Sequence, residues 1–312
     1  MKSFFYPIRA QLVVIRRCNL ACAYCNEFDD RSEPIACERL QERIEHLRRL
    51  QTRQIEFTGG EPLMHPHITS LVTYAKQLGF EKILMITNGV LLSRNLVEGL
   101  NQSGLDDMQV SIDAVTPNSM TVKALRPLLP KLDLLARFAH FRVTMNAVIG
   151  SSSPHELIEI VNCARQYGFI PRVLVRHDEY GQAEFRNDEI AAYADIIPEI
   201  ADLLIESHGY RAKLLRGEPA PFKCRAGCSY LYIDEWGIVR WCSQQRQHLG
   251  VPLIEYSRDH LKQQFYTRKP CSDRCTLGCA RTASADHESH QQPITLSASE
   301  IKDKWLMTSY RT

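Results

Sequence analysis

Three cysteines, Cys18, Cys22 and Cys25, are separated by three and then two residues and directly follow the apolar run Leu12-Val13-Val14-Ile15. Three thiolates on one short loop suit a metal centre. A structural zinc ion takes four protein ligands in a closed tetrahedron, and no fourth Cys or His lies nearby, because Cys37 falls in a helical pattern. A four-iron cluster held by only three thiolates leaves one iron open to an outside ligand, which makes it a place for chemistry. A second group, Cys224, Cys228, Cys242, Cys271, Cys275 and Cys279, lies late in the chain. Taken alone, it satisfies a zinc site as readily as a cluster. Cys163, like Cys37, falls in a helical pattern and reads as a packed thiol.

The early spacing, with Tyr24 just before its last cysteine, and the tetrapeptide Gly59-Gly60-Glu61-Pro62 at the end of the next apolar strand together resemble the radical S-adenosylmethionine superfamily. The resemblance implies a 4Fe-4S cluster on Cys18, Cys22 and Cys25, with the amino and carboxylate groups of S-adenosylmethionine on the open iron. It further implies that Gly59, Gly60, Glu61 and Pro62 hold the methionine part. Tyr24 would lie near the adenine, Ser111 and Asp113 would hold the ribose hydroxyls with help from Asn88 or Asn146, and residues 148–150 would flank the adenine. The implied reaction is reductive cleavage to a 5′-deoxyadenosyl radical, fed by a donor such as flavodoxin or ferredoxin.

Within that resemblance, Cys224, Gly237 and Cys242 are similar to the hairpin of a twitch or SPASM extension. Cys228 does not fit the pattern. Cys224 and Cys242 with two of Cys271, Cys275 and Cys279 would hold one auxiliary 4Fe-4S cluster, which suits a dehydrogenation or a cross-link. The short stretch before the first strand disfavours a peptide substrate, and residues 305–312 lack the Gly-Gly tail of molybdenum-cofactor-building relatives. The substrate is left open between a small metabolite and a peptide. The competing reading, from another class, is a non-catalytic iron-sulfur or zinc protein, against which the Gly-Gly-Glu-Pro element speaks.

These residues need a scaffold. From residue 11 onward short β-branched runs alternate with amphipathic stretches, the pattern of a parallel sheet covered by helices. Strands are predicted at 11–15, 54–58, 82–87, 108–112, 141–149 and 172–176. Helices between them are marked by stripes such as Leu40, Ile44, Leu47 and Ser70, Leu71, Tyr74, Leu78, by stops at Gly79, Gly104 and Gly168, and by Pro154 after a serine run. Six units are too few for a closed eight-stranded barrel, and the resemblance implies a partial (β/α)6 TIM-like barrel. Reactive groups in such folds sit at the carboxyl ends of strands. A helix from Asp188, a linker at 211–223 and a hairpin turning at 234–237 divide the chain into a core, 1–210, and a small cysteine-rich domain, 211–312.

In 312 residues, 38 Lys and Arg balance 36 Asp and Glu, which gives no footprint for nucleic acid or an acidic membrane. Neither a signal peptide nor a transmembrane stretch is seen, and the cytoplasm is expected. His65-Pro66-His67 reads as a loop and cap, Arg176-His177-Asp178 as substrate contacts or a salt-bridged rim, and Asp286-His287-Glu288 with His290 as a solvated tail.

Overall fold

The computed structural model describes residues 5–25, 28–185, 187–194, 196–205 and 209–289. Strand and helix alternate through β1 (Arg9–Ile15), α1 (Cys37–Arg49), β2 (Gln54–Gly59), α2 (Ile68–Gln77), β3 (Lys82–Thr87), α3 (Arg94–Ser103), β4 (Asp107–Ser111), α4 (Leu125–Phe138), β5 (Arg142–Ile149), α5 (Pro154–Gln166) and β6 (Ile170–Val175). The six strands are parallel and ordered β6-β5-β4-β3-β2-β1. This is the α/β partial barrel expected. Strands buried on both faces must be apolar throughout, and Leu12, Val13, Val14 and Ile15 have no exposed surface.

The helices bury one stripe each. In α1, Leu40, Ile44 and Leu47 are fully buried against the sheet, and each contributes roughly 2 kcal/mol of transfer free energy. In α2 the buried stripe is Ile68, Leu71, Val72 and Ala75. It is turned away from the predicted Ser70 and Tyr74, because Ile68, Val72 and Ala75 offer the stronger apolar line. Helix α5 starts as predicted, with Ser153 and Glu156 in a reciprocal capping box and Pro154 in the first turn.

The helix read from Asp188 onward is interrupted. It consists of α6 (Asn187–Ala194), a 3-10 turn Ile197–Ile200 containing Pro198, which has no N–H to continue the ladder, and α7 (Ala201–Ile205). The predicted linker begins inside α8 (Tyr210–Leu215), where Arg211 is buried. Gly217, at φ 71°, follows the end of that helix.

The hairpin is present as β7 (Tyr230–Ile233) and β8 (Ile238–Arg240), joined by β9 (Leu249–Pro252). Its turn is tied by Asp234, whose Oδ1 accepts from the N–H of Trp236 and Ile238 at 3.1 and 2.9 Å. Strand β7 pairs in parallel with β1, so the sheet runs unbroken from the barrel into the cysteine-rich region and the open edge of β1 is covered. The chain continues through α9 (Arg258–Tyr266) to α10 (Gly278–Ser289). The predicted solvated tail is corrected here. His287 is buried on α10, its Nδ1 3.0 Å from Ser229 Oγ, because the apolar packing of Phe265 and Tyr6 against its ring draws it inward. His290 and residues 305–312 lie outside the described residues. Among the described residues no helix is long and apolar enough to cross a membrane.

Candidate active site

The carboxyl ends of the strands open onto a cavity of about 240 Å3. Its wall carries Cys18, Cys22, Tyr24 and Cys25 after β1, Gly59 and Gly60 at the end of β2, and Asn88 after β3. Ser111 and Asp113 from β4, Asn146 and Val148 from β5, and Arg176 and His177 after β6 complete that side. Register brings the first two loops together, because Ile15 pairs with Gly59.

Glycine is needed there for close approach. A Cβ on Gly59 would fall 2.1 Å from Ile15 O, and one on Gly60 would fall 2.3 and 2.4 Å from Arg16 O and Arg17 O. Gly60 N–H donates to Ile15 O at 2.9 Å and Glu61 N–H to Arg17 O at 3.0 Å, so the glycines clamp the backbone that leads into Cys18. Glu61 itself turns inward and has no exposed surface. Its carboxylate accepts from Leu63 N–H at 2.9 Å, Thr87 Oγ1 at 2.7 Å and Asn88 N–H at 2.7 Å. Burial pushes its pKa up against those bonds. Glu61 thus fastens the loop after β2 to the loop after β3, while Pro62 opens the 3-10 turn Pro62–Met64 behind the cavity wall.

Asn88 lies over Cys18, donating from Nδ2 to Asn19 Oδ1 at 2.8 Å and to Cys18 Sγ at 3.7 Å. Tyr24 donates its hydroxyl to Asp113 Oδ2. Lys123 donates to the same hydroxyl at 3.0 Å and lies 3.5 Å from Asp113. Burial works against the Lys123 charge, but Tyr24, Asp113, Cys25 and Cys22 together hold its ammonium well above the usual lysine range. Lys123 stands on a loop after β4 without motif or periodicity, and nothing in the sequence distinguished it. Two acceptors remain: Asp113 Oδ1 and Asn146 Oδ1 are buried without a hydrogen-bond partner among the described residues. Orphaned buried acceptors cost about 1–3 kcal/mol each, and a ligand carrying hydroxyl donors would satisfy both.

The late cysteines separate into three environments. Cys242 lies within Coulomb range of Cys275 and Cys224, Cys275 within range of Cys224 and Cys271, and Cys224 within range of Cys271. Burial, and after it Cys224, pushes the Cys275 thiol up to about 12. Cys279 stands apart on the first turn of α10. It lines the barrel cavity, with Sγ 3.6 Å from Gln11 Nε2 and 3.9 Å from Glu56 Oε2. Cys228 is fully buried, and burial raises it to about 12. Among the described residues no three of His, Cys, Asp and Glu close on a single metal ion. Cys18, Cys22 and Cys25 instead border a shared space, as a bulky cluster requires. Of the remaining candidates, His65 Nε2 pairs with Ile35 O at 2.8 Å, and Arg176 is ion-paired to Glu189 at 2.9 Å while also lining the cavity with His177.

Known proteins resemble this chain in sequence and in fold. The chain is 29% identical over 282 residues to a GTP 3',8-cyclase of Synechocystis sp., covering 81% of this chain and 84% of that protein. It is 28% identical over 190 residues to a PqqA peptide cyclase of Gluconobacter oxydans, covering 59% of this chain and 52% of the relative. The fold superposes on Streptococcus suis SuiB bound to precursor peptide SuiA with a TM-score of 0.64 at 16% identity, over 89% of this chain and 72% of that one. The family model described as "Radical SAM superfamily" matches residues 12–177, more than half of the sequence, and the chain therefore belongs to the radical SAM superfamily.

Proposed function

We propose that this chain is a radical S-adenosylmethionine oxidoreductase acting on a substrate held in the barrel cavity. The observation that carries the proposal is the pair of orphaned acceptors, Asp113 Oδ1 and Asn146 Oδ1, on the wall that also presents the three early thiols. An electron carrier has no use for a diol-binding pair beside its cluster, which weighs against the non-catalytic reading.

When bound, a 4Fe-4S cluster on Cys18, Cys22 and Cys25 with S-adenosylmethionine supplies one-electron cleavage of the sulfonium and a 5′-deoxyadenosyl radical. The chain's own residues do the rest. Asp113 and Asn146 accept the ribose hydroxyls, with Ser111 beside them. Tyr24 and Lys123 fix the Asp113 carboxylate through its other oxygen. Asn88 donates toward Cys18 and steadies the loop. Gly59 and Gly60 offer exposed backbone to the methionine end, and Glu61 holds that backbone in place from behind.

Cys224, Cys242, Cys271 and Cys275 are the set we assign to an auxiliary 4Fe-4S cluster in a twitch-like region, 211–312, following a core of 1–210. Their mutual Coulomb range supports the assignment. An auxiliary cluster held by these four thiols would supply a one-electron acceptor, which suits a net oxidation or cross-link. A flavodoxin or ferredoxin is the class of donor required. A small molecule, or one side chain of a peptide, suits a cavity lined also by Leu277, Gly278 and Cys279.

The test is electron paramagnetic resonance of the reconstituted, reduced protein. Adding S-adenosylmethionine should change the spectrum of the first cluster, as ligation of its open iron demands. A spectrum unmoved at saturating cofactor refutes the reading.

A further inference from the structure

The start of α10 contributes to the wall of the barrel cavity. Leu277, Gly278 and Cys279 line the cavity, so this 12-residue helix presents its first, intrahelically unpaired N–H groups and its positive end to that space.

Arg172 on β6 reaches the same region. It lines this cavity and a second one, of about 250 Å3, toward the other end of the barrel. Its hydrogen bond among the described residues goes to a neutral amide, Gln109 Oε1, at 3.3 Å. The other cations lining the second cavity are matched by carboxylates: Arg9 lies 3.8 Å from Glu56, and Lys82 and Arg142 lie 3.3 and 2.5 Å from Asp107. Arg172 has no such partner among the described residues.

The independent observation is Tyr210 on α8. The residue is 4% exposed and its hydroxyl has no hydrogen-bond partner among the described residues. It points at the first turn of α10, since a Cβ on Gly278 would come within 3.2 Å of the hydroxyl oxygen. Gly278 itself lines the cavity. Arg172 lies within Coulomb range of the same hydroxyl, as do Arg211 and Arg281. Glu56 is nearby, on the side of Cys279, but it is bound to Gln11 at 2.6 Å as well as to Arg9.

We propose that Arg172, the Tyr210 hydroxyl and the N-terminal turn of α10 form an oxyanion site that receives a carboxylate or phosphate group of the substrate. A guanidinium, a phenol and helix N–H groups are all donors, and an oxyanion is the complement that satisfies them together. The site anchors the charged end of the substrate in the cavity that the cofactor residues also line and turns its remaining carbons toward them. This assignment rests on the cavity being the substrate site of a radical enzyme.

The experiment is calorimetric titration of the full-length, iron-reconstituted protein with inorganic phosphate and, separately, with acetate. At least one anion should bind saturably, and which one does identifies the substrate as a phosphate ester or a carboxylate. Arg172→Gln should weaken that binding at least about tenfold and Tyr210→Phe severalfold, with iron content and S-adenosylmethionine affinity retained. Wild-type affinity in both variants, or saturable binding of neither anion, overturns the site. Release of 5′-deoxyadenosine by the same preparation separates the two failures. Release without anion binding removes the site and leaves the radical reading, whereas anion binding that depends on Arg172 without release does the reverse.

Discussion

Asp113 does two jobs with two oxygens. Oδ2 is spent on Tyr24 and Lys123, and Oδ1 is left without a hydrogen-bond partner among the described residues. Asp113→Asn should therefore keep its iron while losing roughly tenfold in S-adenosylmethionine affinity, measured by equilibrium binding; unchanged affinity would remove it from the ribose site. Cys228, held protonated by burial and outside the four-thiol group, should resist iodoacetamide at pH 8 in the native protein and react once the chain is unfolded, as peptide mass spectrometry would show. Much at this scale was legible in the sequence: a thiol spacing survives as residue types, and so do Asn88, Ser111, Asp113 and Asn146 at successive strand ends. Direction was not legible. Glu61 reads as a cofactor ligand and turns inward because three donors converge on it. Arg172, between Val173 and the apolar run before it on β6, is a polar residue facing the barrel interior.

Elements position these residues through backbone contact more than through side chains. Gly60 allows β2 to pass against residues 16 and 17, which fixes the start of the cysteine loop. Gly60→Ala should displace that loop and lower the iron bound after reconstitution by about half, one cluster of two, with little change in far-ultraviolet circular dichroism. The cap of α5 is a control of the opposite kind. Ser153→Ala removes the capping box that Ser153 shares with Glu156 and should cost about 1 kcal/mol of stability in denaturant titration, with iron retained. Periodicity and turn residues made the six strands and the start of α5 legible within a residue or two. They gave no sign of the pairing partner of β7, since a hairpin signal says nothing about which outer strand it joins. For the same reason the separation of Cys279 from Cys271 and Cys275 was hidden: it arises where α10 begins, one turn that carries Cys279 into the barrel and leaves the other two behind.

At the scale of the whole molecule, the continuous sheet from β6 to β9 joins the barrel, whose cavity is lined by Cys18, Cys22, Cys25 and Cys279, to the cysteine-rich region. Loaded with iron, the wild type should hold about eight atoms per chain, Cys275→Ala about four, and Cys228→Ala about eight; about four in the wild type, with zinc present, would return the late group to a structural ion. The central claim is that the early thiols and the strand ends beside them act together as a site for radical generation. The most direct test is anaerobic reduction of the reconstituted protein with dithionite in the presence of S-adenosylmethionine, with 5′-deoxyadenosine measured by liquid chromatography. The account predicts release by the wild type and none by Cys22→Ala, whose first cluster cannot assemble. No release by a wild type carrying its full iron, or equal release by Cys22→Ala, would contradict it.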